Sequence, residues 1–262
     1  MKVSLSFEKG TSKDISIMVD ALRASTTITN ALDKFKEIYP AFSAEQAIEI
    51  AKETDSILAG EQKGRKIEGF QLGNSPNEIK KYETDKDSLV LTTGNGVRIL
   101  EGMESDIVLV GSFINAKACA KAACELATDH IELVMGGIIR TFAIEDYLAS
   151  GEILYWIQEE LKNRNESIDV NFNDKEINDS NYFKEERGIT EYALSAILAS
   201  RDQKLVEKAC IKSKSGRRLA SLGYEEDVQL CINKNITDNV GIYQNGKITL
   251  YQSKVNKSQK YK

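Results

Sequence analysis

Ile15-Ser16-Ile17-Met18-Val19-Asp20-Ala21-Leu22-Arg23-Ala24-Ser25-Thr26-Thr27 joins a short apolar run to a carboxylate, an arginine and three consecutive hydroxyl residues. The run Ile15–Val19 reads as a buried strand, and the residues after it as the start of a helix. Such a junction leaves helix N–H groups unpaired and presents the positive end of the helix dipole, so hydroxyls and an arginine there suit an anion. Asp20 directly follows the apolar run, so it is expected to be partly buried and to need a partner or a cation. The stretch predicts an α/β fold with metal-assisted chemistry on a phosphate at a strand end.

Outward from this run, short β-type segments alternate with amphipathic helical ones, which predicts a three-layer αβα fold around a mixed, largely parallel sheet. The expected strands are 3–7, Ile15–Val19, Glu37–Ala41, 57–59, Ser88–Thr92, 107–110 and 131–135. Ser43 with Gln46 forms a capping-box pattern, and Ser75-Pro76 places proline at a first helical position. Asn115 is expected to cap a helix over 116–127, and a long helix follows Phe142. Further helix is expected over 189–210 and 217–222, then antiparallel C-terminal strands at 228–232 and 241–251, the latter turning at Asn245-Gly246 as a type I′ hairpin. Residues 1–253 then form a single α/β domain. Within it, 163–188 is a polar, exposed insertion that would divide two lobes, and 254–262 is a frayed tail.

The balance of 35 basic and 40 acidic side chains gives a net charge of −5, which argues against nucleic-acid or membrane-surface partners. An anion site must then be a local pocket in an acidic surface. No apolar run approaches a membrane span, and the first residues lack a signal-peptide core. Cys119, Cys124, Cys210 and Cys231 form no CxxC pair and have no zinc-like spacing, so they are expected to be reduced in a cytoplasmic protein. Nothing in the composition opposes a homo-oligomer.

The unusual residues fall after the expected strands, where ligands bind in open α/β sheets. Asp20, Arg23, Ser25, Thr26 and Thr27 follow one strand. Glu61 and a loop ending in Asn74-Ser75 follow another, and Thr92-Thr93-Gly94-Asn95-Gly96 a third. Ser112 and Asn115 follow a fourth, and Gly136-Gly137, Arg140 and Glu145-Asp146 a fifth. Singly, Ser75, Asn95 and Asn115 also fit plain helix caps, the glycines plain turns, and Glu145-Asp146 a dipole-matched first turn. Together they predict one shared site. His130 as the sole histidine disfavours Ser-His-Asp and phosphohistidine chemistry, and no GxxxxGK[ST] loop or phosphate-cradling cysteine is present. Carboxylates with a hard cation are what is left, and Mg²⁺ fits. The candidate ligands are Asp20, Glu61, Glu145 and Asp146, with Asp20, Arg23 and Glu61 as the catalytic group. Arg98, Arg140 and Arg217 are further candidate oxyanion clamps.

These residues together resemble the 2-phosphosulfolactate phosphatase family. The resemblance is carried by Val19 through Ile28, Gly60-Glu61 with Gly64, Gly69-Phe70-Gln71-Leu72-Gly73-Asn74-Ser75-Pro76, Thr92 through Gly96, Gly111 through Ala116, Glu145-Asp146 with Gly151, Ser215-Gly216, Gly223-Tyr224 and Asp227. It implies an α/β fold, Mg²⁺ dependence, and hydrolysis of (2R)-2-phospho-3-sulfolactate to 3-sulfolactate and phosphate in coenzyme M biosynthesis. Arg23, Ser25, Thr26, Thr27, Asn74, Ser75, Thr92, Thr93, Asn95, Gly96, Ser112 and Asn115 are then expected around this small anionic phosphorylated hydroxy acid. The chain departs from the family's usual residues at Gln71, Gly94, Val97 and Arg140. Two alternatives stand beside this reading: a phosphatase of another small 2-hydroxy-acid phosphate, and a non-catalytic anion-binding protein.

Overall fold

A computed structural model describes residues 1–94, 96–164 and 187–253. Asn95, the 165–186 part of the expected insertion and the 254–262 tail lie outside the described residues. The elements are, in chain order, β1 (Lys2–Phe7), β2 (Ile15–Val19), α1 (Ala24–Ala31), β3 (Glu37–Ala41), α2 (Ala44–Thr54), β4 (Ile57–Gln62), β5 (Arg65–Lys66) and α3 (Pro76–Lys81). Then come β6 (Ser88–Thr92), α4 (Gly96–Glu101), β7 (Ile107–Gly111), α5 (Ala116–Leu126), β8 (His130–Met135), α6 (Ile144–Asn163) and β9 (Gly188–Ile189). The last elements are α7 (Glu191–Ala199), α8 (Gln203–Lys212), α9 (Lys214–Ala220), α10 (Glu225–Cys231), β10 (Gly241–Gln244) and β11 (Lys247–Leu250). The fold is α/β, with a mixed, mostly parallel sheet and helices packed around it.

The strand order is β5-β4-β6-β3-β11-β10-β7-β2-β8-β1-β9. Every residue of β2 is buried, because helices cover both faces of the sheet and a strand in that position must be apolar throughout. Ile15, Ile17 and Val19 pack with α5 and α6, while Met18 points to the opposite core with Ala24, Ile28 and Ile99. This period-two division is what lets a five-residue strand serve two cores.

β4, β6 and β3 run parallel to one another, as do β7, β2, β8 and β1. Between these groups sits the hairpin β10–β11, antiparallel to both neighbours. The two parallel groups therefore run in opposite senses along the ladder, so a single carboxyl edge, as expected from sequence, does not exist. The ends of β2 and β6 meet all the same: a Cβ on Gly96, which starts α4 after β6, would come within 2.9 Å of Asp20 Oδ2.

Three elements differ from the sequence reading. The apolar run at 228–232 belongs to helix α10, whose first turn carries Glu225, Glu226 and Asp227, a helix-start signal that outweighs the β-type residues after it. The helix expected over 189–210 is two helices, broken at Ser200-Arg201 and restarted by Asp202, whose side chain accepts from Leu205 N at 3.1 Å. Ile189 itself pairs with β1 as an edge strand. Asn115 does not cap α5 with its side chain; it closes a capping box with Ser112 around the short 3₁₀ turn Phe113–Asn115.

The hairpin turn has φ of +52° at Asn245 and +79° at Gly246, as a type I′ turn requires. Because this turn sets the register of the two strands that bridge the sheet, Gly246→Val should cost about 1–2 kcal/mol through backbone strain alone. Urea denaturation should show that loss in a single transition rather than in a detached C-terminal phase.

Candidate active site

Asp20 directly follows β2 and is 8% exposed. Its Oδ1 accepts from Ala24 N at 3.3 Å, and its Oδ2 makes no hydrogen bond among the described residues. The turn that follows contains a cis Leu22–Arg23 peptide bond. Ser25 Oγ accepts from Asp20 N at 3.2 Å and donates to Asp20 O at 2.7 Å, and Thr26 Oγ1 donates to Ala21 O at 3.0 Å. Both residues are fully buried, so their hydroxyls build the turn and are not available to substrate oxygens. Among the described residues, only Thr27 of the three keeps an unpaired buried hydroxyl.

Arg23 also departs from expectation. Its Nη1 donates to Asp227 Oδ2 at 2.8 Å, its Nη2 donates to Gly64 O at 3.3 Å, and its guanidinium lies over the Tyr224 ring at 4.4 Å from the centroid. Its side chain is 3% exposed and that of Asp227 2%. Asp227 Oδ1 takes donors from Ser75 Oγ at 2.8 Å and Asn77 Nδ2 at 2.9 Å. Arg23 is thus a buried strut between the β2 turn, the β4–β5 turn and α10, not a free clamp. In the sequence Asp227 and Tyr224 stand out only as parts of a motif; their role needs the fold, because 204 positions separate Arg23 from Asp227.

The four candidate carboxylates do converge electrostatically. Asp20 is pushed up to about 7, first by burial and then by Glu61 and Glu145, against the Ala24 hydrogen bond and Arg23. Asp146 is held well above the ordinary carboxylate range by burial, Asp20 and Glu145. Asp146 also ties two strand ends together, accepting from Ala21 N at 2.8 Å through Oδ1 and from Gly137 N at 2.9 Å through Oδ2. Glu61 bridges Gly64 N at 2.5 Å and Gly94 N at 3.1 Å. Glu145, 2% exposed, leaves Oε2 buried without a hydrogen-bond partner among the described residues. Among the described residues no three His, Cys, Asp or Glu side chains are grouped closely enough to form a metal cage. The oxygens with fewest commitments are Asp20 Oδ2 and Glu145 Oε2.

Other strand-end residues divide into builders and unpaired groups. Ser112 and Asn115 are fully buried, and Asn115 Nδ2 donates to Val110 O at 3.0 Å and Asn239 O at 2.9 Å. Ser75 caps α3, accepting from Glu78 N at 3.1 Å, and Thr93 Oγ1 accepts from Val97 N at 3.2 Å. By contrast, Asn74 Oδ1 and Thr92 Oγ1 are buried without partners among the described residues. Gly96 lies so close to Asp20 that a Cβ would come within 2.9 Å of its Oδ2 and 2.4 Å of Ala24 Cβ, so only glycine lets α4 start there. Asn95 lies outside the described residues. Arg98 donates to Glu8 at 2.8 Å, Arg217 Nε donates to Ser213 O at 3.4 Å, and Gln71 Oε1 accepts from Leu58 N at 3.0 Å.

Of the buried polar atoms without partners among the described residues, Thr27 Oγ1, Asn74 Oδ1, Thr92 Oγ1 and Glu145 Oε2 all belong to residues that the sequence assigned to the site. Buried polar groups are ordinarily paired, so these atoms keep capacity for a further hydrogen-bond partner.

A family model described as 2-phosphosulpholactate phosphatase matches residues 2–246. The 2-phosphosulfolactate phosphatase of Methanothermobacter thermautotrophicus is 42% identical over 252 residues, covering 96% of each chain. That of Methanocaldococcus jannaschii is 32% identical over 89% of this chain and 91% of its own. A probable 2-phosphosulfolactate phosphatase of Clostridium acetobutylicum is 31% identical over the same shares.

Asp20 holds its proton more tightly folded than unfolded. Its contribution to stability is therefore fully present below the unfolded value of about 4 and is lost as pH rises through about 7. Metal-free protein should melt several degrees lower near pH 8 than near pH 5, and Asp20→Asn should flatten that slope in a thermal-shift series with EDTA. Asp227→Ala, which strands the Arg23 charge, should cost about 3–5 kcal/mol in urea denaturation.

Proposed function

The chain belongs to the 2-phosphosulpholactate phosphatase family, a family of phosphoric monoester hydrolases, and on that premise we propose that it hydrolyses (2R)-2-phospho-3-sulfolactate. The reaction breaks the phosphate ester with water and releases 3-sulfolactate and inorganic phosphate. The observation that carries the reading is the buried Asp20, whose ionisation Glu61 and Glu145 oppose, together with a buried Glu145 Oε2 that has no hydrogen-bond partner among the described residues. The pathway role we assign is coenzyme M biosynthesis, and the compartment the cytoplasm, in keeping with four free buried thiols.

Mg²⁺ is the cofactor we propose. The donors are hard carboxylate oxygens, and the ion commonly uses only one or two carboxylates, keeping waters and taking substrate oxygens for the rest. Asp20 and Glu145 would hold it, with Glu61 and Asp146 adding negative charge nearby. When bound, it would neutralise phosphate charge and orient the attacking water. Asp146 meanwhile fixes the backbone after β2 against that after β8 through its two accepted N–H bonds. Glu61 does the same for the turns after β4 and β6. Asn74 and Thr92 supply unpaired polar atoms for the ester's oxygens. Fixing these groups before substrate arrives removes a reorganisation cost from the reacting step.

Phosphate release from 2-phospho-3-sulfolactate should stop with EDTA and return with Mg²⁺, and Asp20→Asn should lower kcat by at least a hundredfold. Faster turnover of phospholactate or phosphoglycolate would move the assignment to another 2-hydroxy-acid phosphate, and ligand binding without phosphate release would make the protein a non-catalytic binder.

A further inference from the structure

Beside the carboxylate cluster lies a cavity of about 540 Å³ lined by Glu8, Lys9, Arg98, Glu101, Gly102 and Arg140. Its size falls in the range of small-molecule sites. It brings together the end of β1, helix α4 and the loop after β8. Two observations tie it to Asp20. The first is Gly96, which packs the N-terminus of α4 against Asp20 Oδ2, so the helix that carries Arg98 and Glu101 is anchored on Asp20. The second is Gly136: its carbonyl accepts from Arg98 Nη2 at 3.5 Å, while a Cβ built on it would lie 3.5 Å from Asp20 Cβ.

The charges of the lining are unevenly spent. Arg98 is anchored by Glu8 Oε1 at 2.8 Å through Nη2, which leaves its Nε and Nη1 without a hydrogen bond among the described residues. Lys9 and Arg140 make no ion pair or side-chain hydrogen bond among the described residues, and Glu101 is the remaining acid. Discounting the Arg98–Glu8 pair, two free cations face one free carboxylate. In a chain of net charge −5, a locally cationic cavity against an acidic cluster separates the two jobs a polyanionic ester demands.

We infer that this cavity is the subsite for the non-reacting sulfonate of the substrate, with Arg140 and Lys9 as specificity-determining residues. The inference rests on the proposed phosphatase reaction and deepens it. The phosphate lies toward Asp20 and Glu145, the sulfonate in the cationic cavity, and Arg98 between them, held in place by Glu8. Arg140 offers a planar fork and Lys9 a point charge, both suited to a tetrahedral oxyanion.

Arg140 has φ of +62°, so Arg140→Gly removes the cation while relieving the backbone and should fold. The experiment compares kcat/KM for 2-phospho-3-sulfolactate with that for phosphoglycolate, which lacks the sulfonate, in wild type, Arg140→Gly and Lys9→Gln. The expected result is a fall of about tenfold in the ratio of the two for each variant, carried by KM of the sulfonated ester. Wild-type turnover of the sulfonated ester with an unchanged ratio in both variants would overturn the subsite alone. Absence of wild-type phosphate release from that ester would overturn the functional reading, and the subsite with it. A loss of kcat on both esters alike would make Arg140 and Lys9 general electrostatic contributors, which also overturns the inference.

Discussion

The site depends on one buried ion pair. Arg23 and Asp227, both nearly sealed from solvent, meet at 2.8 Å across 204 residues of sequence. Withdrawing two charges from water costs several kcal/mol each unless every lone pair and proton is matched. Here the matching is close to complete: Asp227 takes Arg23, Ser75 and Asn77, and Arg23 adds the Gly64 carbonyl and the Tyr224 face. Few wrong arrangements would satisfy so many partners. The pair therefore fixes the turn after β2, the β4–β5 turn and the start of α3 against α10, and Asp20 and Glu61 inherit their separation from it.

A second, opposite economy operates a few residues away. Glu61 and Glu145 disfavour the ionised form of Asp20, and Asp20 and Glu145 that of Asp146. Folded chains seldom accept such a grouping without a reason, since one rearranged side chain would relieve it. The satisfied pair and the repelling cluster are complementary: the first supplies the rigidity that lets the second stay strained. Asp146 and Glu61 show the same division, each accepting two backbone N–H groups and so holding a pair of turns together within the cluster.

The legible part of the chain was local. β2 could be read because five apolar residues end abruptly in Asp20, and the I′ turn because Asn-Gly is one of the few pairs that tolerate left-handed backbone twice running. The strand-end residues were found because catalytic chemistry uses conspicuous side chains. What the sequence hid was allocation. A hydroxyl on paper looks the same whether it faces a ligand, as Thr27 and Thr92 are free to do, or its own backbone, as Ser25 and Thr26 do. Arg23 was read as a ligand clamp because its real partner sits in a segment whose short apolar run suggested a strand, and only helix α10 brings Asp227 round to it. The reversal of strand sense across the sheet was equally hidden, since pairing of β10 with β7 and of β11 with β3 is non-local by nature.

That reversal has a consequence for how the molecule is made. The hairpin β10–β11 is synthesised after every other described strand, yet it fills the seam between the two parallel groups. As the chain leaves the ribosome, each group can assemble its own strands, but each then presents an open inner edge to the crowded cell. Only the arrival of residues 241–250 zips the halves into one sheet. The late hairpin thus acts as a keystone: a nascent chain stalled before it already holds the Arg23–Asp227 strut, yet leaves the two halves of its sheet unjoined.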